Sequence, residues 1–318
     1  MKRPFTISRG TRTHAETLIV TLTGVDGVIG RGECTPYARY GETLDSVEAE
    51  IEGLRDWLRS EGADRQALQQ VLPAGAARNA LDCALWDLEA KRSSVPLWMQ
   101  AGLAGPPLPV QTVYTLSLDT PQEMAAQAVE MQDYPVLKLK LGGGDEDAAR
   151  ISAIRAVRPD ASLIVDANEG WAFAEMTRLL PDLAKAGVDM VEQPLHADQD
   201  ERLAGFDSPI LLCADESCHD RTSLPKLKGQ YEMVNLKLDK TGGLTEALAL
   251  KSQAEAEGYR IMVGCMVASS LAMAPAQLLA QGADIVDLDA PLLLAEDQAH
   301  PLPFDGAYAL PPPPELWG

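Results

Sequence analysis

Seven polar residues recur through this chain at a nearly constant interval: Lys140, Asp166, Glu192, Asp215, Lys240, Cys265 and Asp287, separated by 26, 26, 23, 25, 25 and 22 residues. Each closes a short β-rich run, and Ala-, Leu- and Glu-rich stretches such as 244–257 and 270–280 lie between the runs. One strand plus one helix uses about that length, so the pattern reads as repeated βα units, which produce a parallel sheet. The strand candidates number eight: 111–117, 136–141, 163–166, 190–192, 210–215, 233–238, 260–263 and 284–287. Eight parallel strands point to closure. No helical stretch follows the last one, only a tail containing Pro311-Pro312-Pro313-Pro314. The expected fold is therefore α/β, a (β/α)7β modified TIM barrel.

The first hundred residues follow a different rule. Leu18-Ile19-Val20-Thr21-Leu22 is β-rich, and Val25-Asp26-Gly27-Val28 signals a hairpin to a second strand near 30–33. Helical spacing follows over 46–60 and 76–91, with Leu81, Leu85 and Leu88 on one stripe of the second. Strands followed by helices indicate an α+β module, and Gly105-Pro106-Pro107-Leu108-Pro109 marks a boundary. The expected division is 1–108 for this module, 109–292 for the barrel, and 293–318 for a tail packing back toward the module.

Composition narrows the partners. Lys and Arg total 27 against 47 Asp and Glu, a formal charge of −20, which disfavours nucleic acid or an anionic membrane surface. The five cysteines are odd in number and scattered, as expected of reduced thiols. Met1-Lys2-Arg3-Pro4 leads into a mixed polar segment rather than a secretory signal, and no apolar run approaches the ~20 residues of a membrane span. A soluble, cytoplasmic protein is expected, with a small-molecule substrate and further copies of itself as partners.

In a barrel of parallel strands the active site lies on the face where the strands end. Asp166, Glu192 and Asp215 close strands three, four and five, which are neighbours. Three adjacent carboxylates in a partly buried mouth need a counter-cation. Oxygen ligands that leave positions open for water and substrate suit Mg²⁺, with Mn²⁺ as the alternative. A carboxylate–arginine network would compete, but no arginine lies nearby on these strands.

Lys138 and Lys140 share the inward face of strand two, with Leu139 turned to the outer helices by the period of two. Lys240 closes strand six within Lys237-Leu238-Asp239-Lys240. Strands two and six are opposite in an eight-strand ring, so Lys140 and Lys240 are expected to flank the metal. One would remove a proton and the other deliver it to the opposite face. Such a lysine needs a lowered pKa, which nearby cations and burial would provide. Asp287 and Asp289 face inward from strand eight, across from the metal side, and are expected to hold an ammonium group. The whole describes a carbon acid held between two bases.

At these residues the chain resembles the enolase superfamily, in its muconate-lactonising subgroup with paired lysine bases. The motifs are Lys138-x-Lys140, Asp166-Ala167-Asn168, Glu192-Gln193-Pro194, Ala214-Asp215-Glu216-Ser217 and Lys237-x-Asp239-Lys240. Asp287-x-Asp289 resembles the dipeptide epimerases, where that motif holds the substrate's α-ammonium. Segments 31–42, 73–90 and 228–250 resemble the L-Ala-D/L-Glu branch of murein peptide metabolism. The resemblance implies a capping role for the N-terminal module, and stabilisation of an ene-diolate by Mg²⁺, a known strategy of this superfamily. It also implies that Arg12, in an Arg9-Gly10-Thr11-Arg12 loop expected to be mobile, meets the substrate's side-chain carboxylate. Cys265 is expected to matter through its backbone beside the substrate.

The rivals on this scaffold are an o-succinylbenzoate synthase or an N-acyl amino acid racemase, whose substrates lack the ammonium that the Asp287/Asp289 pair suits. A sugar-acid dehydratase would want a histidine where Gly264-Cys265-Met266 stands. A non-catalytic metal-binding barrel is the rival from another class. Gly142-Gly143-Gly144 lacks the Lys-Ser/Thr of a phosphate loop. His219 reads as a neighbour of the site rather than a ligand.

Overall fold

The structure is a computed structural model that describes residues 1–60, 63–93, 95–142, 144 and 146–318. It opens with a two-stranded hairpin, Phe5–Ile7 against Gly10–Arg12, where the sequence reading expects a loop. Leu18–Thr23 then pairs antiparallel with Ile29–Cys34, the expected hairpin. The helical stretch expected over 46–60 is two helices, Leu44–Gly53 and Arg55–Leu58. Thr43 and Ser46 close the start of the first in a reciprocal capping box. A further helix, Arg65–Val71, is capped by Asp64.

Helix Ala76–Arg92 is buried continuously from Ala76 to Leu88. It is wedged between two apolar layers and so needs more than one apolar stripe. Ala77, Ala80, Leu81 and Ala84 pack with Val20, Val47 and Leu68 in the N-terminal core, whereas Cys83 and Trp86 join the main core of the barrel. The helix lies directly on strand Ile29–Cys34. A Cβ on Gly32 would run into the backbone of Ala80 and Ala84, so glycine is what permits this approach.

The barrel strands are Tyr114–Leu116, Val136–Lys140, Ser162–Asp166, Val188–Glu192, Leu211–Ala214, Met233–Leu236, Arg260–Val263 and Ile285–Val286. They pair in parallel and in sequence order. Val113 N donates to Val286 O (2.9 Å), joining the first strand region to the last. Val113, Ile164, Met190, Cys213, Met233 and Met262 fill the interior, while Leu137, Leu139, Leu163 and Val165 pack outward in the helical layer. This alternation is the period of two, and it turns Lys138 and Lys140 inward.

Two ends differ from expectation. Gln111 belongs to a separate strand, Val110–Gln111, which pairs with the tail hairpin Phe304–Asp305 and Tyr308–Ala309. A one-turn helix, Ala290–Leu293, follows the last barrel strand. The chain ends against helix Ala76–Arg92, where Trp317 Nε1 donates to Cys83 O (3.0 Å) and Gly318 N to Asp87 Oδ1 (2.7 Å). Among the described residues no helix is long and apolar enough to cross a membrane. All five cysteines are free.

Candidate active site

A cavity opens where the barrel strands end, beneath the hairpin of residues 5–12. The carboxylates of Asp166, Glu192 and Asp215 lie on one side. All three are buried, and each offers an oxygen within 4.8 Å of the others. Sharp turns follow two of them: Asn168 (φ 44°), Glu169 (φ 63°) and Gln193 (φ 35°) take left-handed backbone that non-glycine residues seldom adopt. The Gln193 side chain ties the ends of strands four and five together, accepting from Asp215 N (2.9 Å) and Ser217 N (3.2 Å).

The charge that offsets these carboxylates is a set of lysines, a pairing that the weighing of arginine alone overlooks. Lys140 Nζ lies 2.5 Å from Asp166 Oδ2. Lys138 Nζ reaches Glu192 Oε2 and Asp287 Oδ2, each at 2.7 Å, and Asp166 Oδ2 at 3.2 Å. Lys237 Nζ is 2.6 Å from Asp215 Oδ2. Burial would raise the Asp166 carboxyl, but Lys140 and Lys138 overcome it and hold it well below the usual range. The Asp215 carboxyl is likewise held down, against its burial, by Lys237 and Lys240. Glu192, in contrast, is pushed up to about 7 by burial and by Asp166.

The structure corrects the sequence expectation for Lys240. Lys240 neither closes strand six nor lines the cavity. That strand ends at Leu236, and the chain turns into a helical turn, Leu238–Thr241. One turn on, Lys240 points back beneath the strand ends. Its ammonium donates to Asp215 Oδ1 (2.6 Å), Asp215 O (2.5 Å) and Asn235 O (2.9 Å), so all three N–H groups are used internally. Lys237, still in extended backbone, is the lysine of strand six that reaches the cavity, across from Lys140. Its pKa is also opposite to expectation. Burial would lower it, but Asp215 and Glu192 raise it well above the ordinary value.

Asp287 and Asp289 both line the cavity, with Cys265 beside them. Asp289 begins the turn Ala290–Leu293, yet its side chain does not cap that helix. Asp289 Oδ2 instead accepts from Thr115 N (2.5 Å). Burial and the neighbouring Asp287 push the Asp289 carboxyl up to about 7, and burial with both aspartates pushes the Cys265 thiol well up.

The hairpin supplies two arginines with different surroundings. Arg9, which sequence reasoning left without a role, donates to Glu216 Oε1 (2.7 Å), Asn168 O (2.7 Å) and Tyr37 OH (2.8 Å), pinning the hairpin to the barrel. Arg12 lines the cavity with its guanidinium 5.2 Å from the centre of the Tyr37 ring. No carboxylate among the described residues pairs with it. His219 lies against Tyr40, edge to face, with Nε2 3.0 Å from Glu216 O, apart from the carboxylate triad. Gly143 lies outside the described residues.

Comparison with known proteins places the whole chain. Residues 1–102 match the mandelate racemase / muconate lactonizing enzyme N-terminal domain, and residues 122–312 match the enolase C-terminal domain-like family. The chain belongs to the mandelate racemase / muconate lactonizing enzyme family. Among its members, L-Ala-D/L-Glu epimerase of Escherichia coli (strain K12) is 48% identical over 305 residues, covering 95% of this chain and 93% of the relative. N-acetyl-D-glutamate racemase of a Pseudoalteromonas species is 45% identical, covering 95% of each. An enolase family member from Agrobacterium tumefaciens with homology to dipeptide epimerases, solved with sodium and L-Ala-L-Glu, superposes with a TM-score of 0.96 at 50% identity, covering 99% of this chain and 95% of that one. The dipeptide epimerase of Cytophaga hutchinsonii, complexed with Mg and D-Ala-L-Val, gives 0.90 at 29% identity, covering 98% and 90%.

Proposed function

We propose that this protein is a Mg²⁺-dependent dipeptide epimerase that inverts the α-carbon of the C-terminal residue of L-Ala-D/L-Glu, a murein peptide. The observation that carries the reading is the pair Lys140 and Lys237, reaching one cavity from opposite barrel strands beside the carboxylate triad. The likeness to the Escherichia coli epimerase supports the substrate.

Three buried carboxylates, mutually within 4.8 Å, fit a hard divalent cation with room for other oxygen ligands, Mg²⁺ first and Mn²⁺ as the alternative. A cation held by Asp166, Glu192 and Asp215 would supply positive charge beside the substrate carboxylate and take up the negative charge that now keeps Lys237 protonated.

The remaining work belongs to the side chains. Asp287 and Asp289 receive the α-ammonium, and Arg12 meets the side-chain carboxylate of the C-terminal glutamate. Lys138, between Asp287 and the triad, holds these two ends of the site in register, and Cys265 borders the substrate. In one direction neutral Lys140 takes the α-proton, leaving an ene-diolate, and the Lys237 ammonium returns a proton to the other face; the reverse reaction exchanges the two. Which lysine starts is set by the epimer bound. Lys240 contributes by fixing Asp215.

A second reading, an N-acyl amino acid racemase, draws on the N-acetyl-D-glutamate racemase relative. One experiment separates the two. The protein is incubated in D₂O with Mg²⁺ and either L-Ala-L-Glu or N-acetyl-glutamate, and α-deuterium incorporation is followed by mass spectrometry. Exchange confined to the dipeptide supports the epimerase. Exchange only in N-acetyl-glutamate favours the racemase, and none in either sinks both. The division at 108 and 292, a cytoplasmic location and a homo-oligomer complete the proposal, the last checked by sedimentation equilibrium.

A further inference from the structure

The helical turn Leu238–Thr241 joins the strand that ends in Lys237 to the following barrel helix, and it carries a buried carboxylate that the chemistry above does not use. Asp239 is 7% exposed, and no cation among the described residues forms an ion pair with it. Its Oδ1 accepts two hydrogen bonds, from Thr35 N (2.9 Å) and Asn79 Nδ2 (2.8 Å). Both donors belong to the N-terminal domain: Thr35 just past strand Ile29–Cys34, and Asn79 on helix Ala76–Arg92. The Asn79 amide is itself oriented, because Cys83 Sγ donates to its Oδ1 (3.2 Å).

The same helix grips the rest of the segment. Arg78 Nη2 donates to Thr241 O (2.7 Å), and Asp82 Oδ2 accepts from Thr245 N (3.0 Å). Within the turn, Lys240 N and Thr241 N both donate to Lys237 O at 3.0 Å. Wherever the helical turn is held, the backbone of Lys237 is held too. A buried carboxylate without a cation is a costly way to fill space. Its return here is geometric, since one oxygen is fixed by donors on two separate N-terminal elements.

We propose that Asp239 is a positioning residue for Lys237, through which the N-terminal domain aims the strand-six base into the cavity. The proposal rests on the reading of Lys237 as a base. Asp239→Ala or Asn79→Ala then displaces one base and leaves Lys140 alone.

Two-base chemistry makes that asymmetry measurable. An epimer exchanges its α-proton with solvent through the lysine on its own side, even when conversion to the other epimer is blocked. Initial α-proton exchange in D₂O is therefore measured separately from L-Ala-L-Glu and L-Ala-D-Glu. Lys237→Ala should abolish exchange from one epimer and spare the other, which identifies the Lys237 side. Asp239→Ala and Asn79→Ala should each slow exchange on that side roughly 10–100-fold, the scale of an ångström-level misplacement, with under about threefold change on the other. Asp239→Asn, which keeps the accepting oxygen, should restore most of the loss. Equal slowing of both epimers, or of neither, by Asn79→Ala overturns the positioning role even if Asp239→Ala does not fold. If Lys237→Ala leaves both exchanges intact, the assignment of the base fails instead.

Discussion

Lys237 and Lys240 sit three positions apart and both contact Asp215, yet only Lys237 faces the cavity. Replacing them should therefore have separable effects. Lys240→Met leaves the Asp215 carboxylate without one of its two lysines, and Mn²⁺ affinity measured by electron paramagnetic resonance should fall roughly 10-fold or more, as expected when a supporting partner of a ligand is lost. Lys237→Met should bind Mn²⁺ nearly as the parent does while losing epimerisation. Loss of metal affinity in Lys237→Met but not in Lys240→Met would reverse these roles. Arg12 invites a different test. Arg12→Ala should raise KM for L-Ala-L-Glu about 10–100-fold, the usual worth of a charge-assisted hydrogen bond, and leave a dipeptide with an apolar C-terminal residue unchanged. Steady-state kinetics on the two substrates decides it.

At the scale of elements, helix Ala76–Arg92 ties three separate parts of the chain together. It covers strand Ile29–Cys34, receives the C-terminal Trp317, and clamps the segment that follows strand six. Gly243 marks how tightly. Its φ is +109°, and an added Cβ would come within 2.6 Å of Asp82 Cγ. Gly243→Ala is predicted to cost on the order of 2 kcal/mol, read as a lowered urea midpoint, because both backbone strain and collision with a buried side chain oppose it. Gly229→Ala gives the comparison, since φ there is +78° and nothing lies within 4 Å. Equal losses in the two variants would mean that the clash contributes nothing.

For the whole molecule, the buried carboxyls set a pH dependence of stability. Burial raises Asp239 to about 7 and Asp82 to about 6. A carboxyl whose pKa is higher in the fold than in the unfolded chain favours the fold most when protonated. That contribution is complete below about pH 4 and is lost as pH rises through 6 to 7. Asp166 and Asp215, held low by lysines, act in the opposite sense and in a different window, losing their contribution only as pH falls below about 4. Unfolding free energy from urea melts is thus expected to decline between about pH 4 and 7, and Asp239→Asn should flatten that decline. Glu192 and Asp289 titrate in the same window, so wild type and variant are compared at each pH. Parallel slopes would show that Asp239 is not the source.

The repeat of strand ends was legible in the sequence because it is local: one βα unit has a nearly fixed length, and alternation along a strand dictates which side chains turn inward. That suffices to put Asp166, Glu192 and Asp215 on neighbouring strands and Lys138 with Lys140 on one face. The choice between Lys237 and Lys240 is of another kind. It depends on whether strand six runs four residues further or turns at Leu236, and Lys237-Leu238-Asp239-Lys240 permits either. The decision comes from residues more than 150 positions away: Arg78, Asn79 and Asp82 grip the turn and stop the strand. By itself the sequence determined the barrel and the carboxylate triad, whose spacing follows from repeated local geometry. Only the tertiary structure decided which lysine faces the cavity, because a strand's end is set by what packs against it.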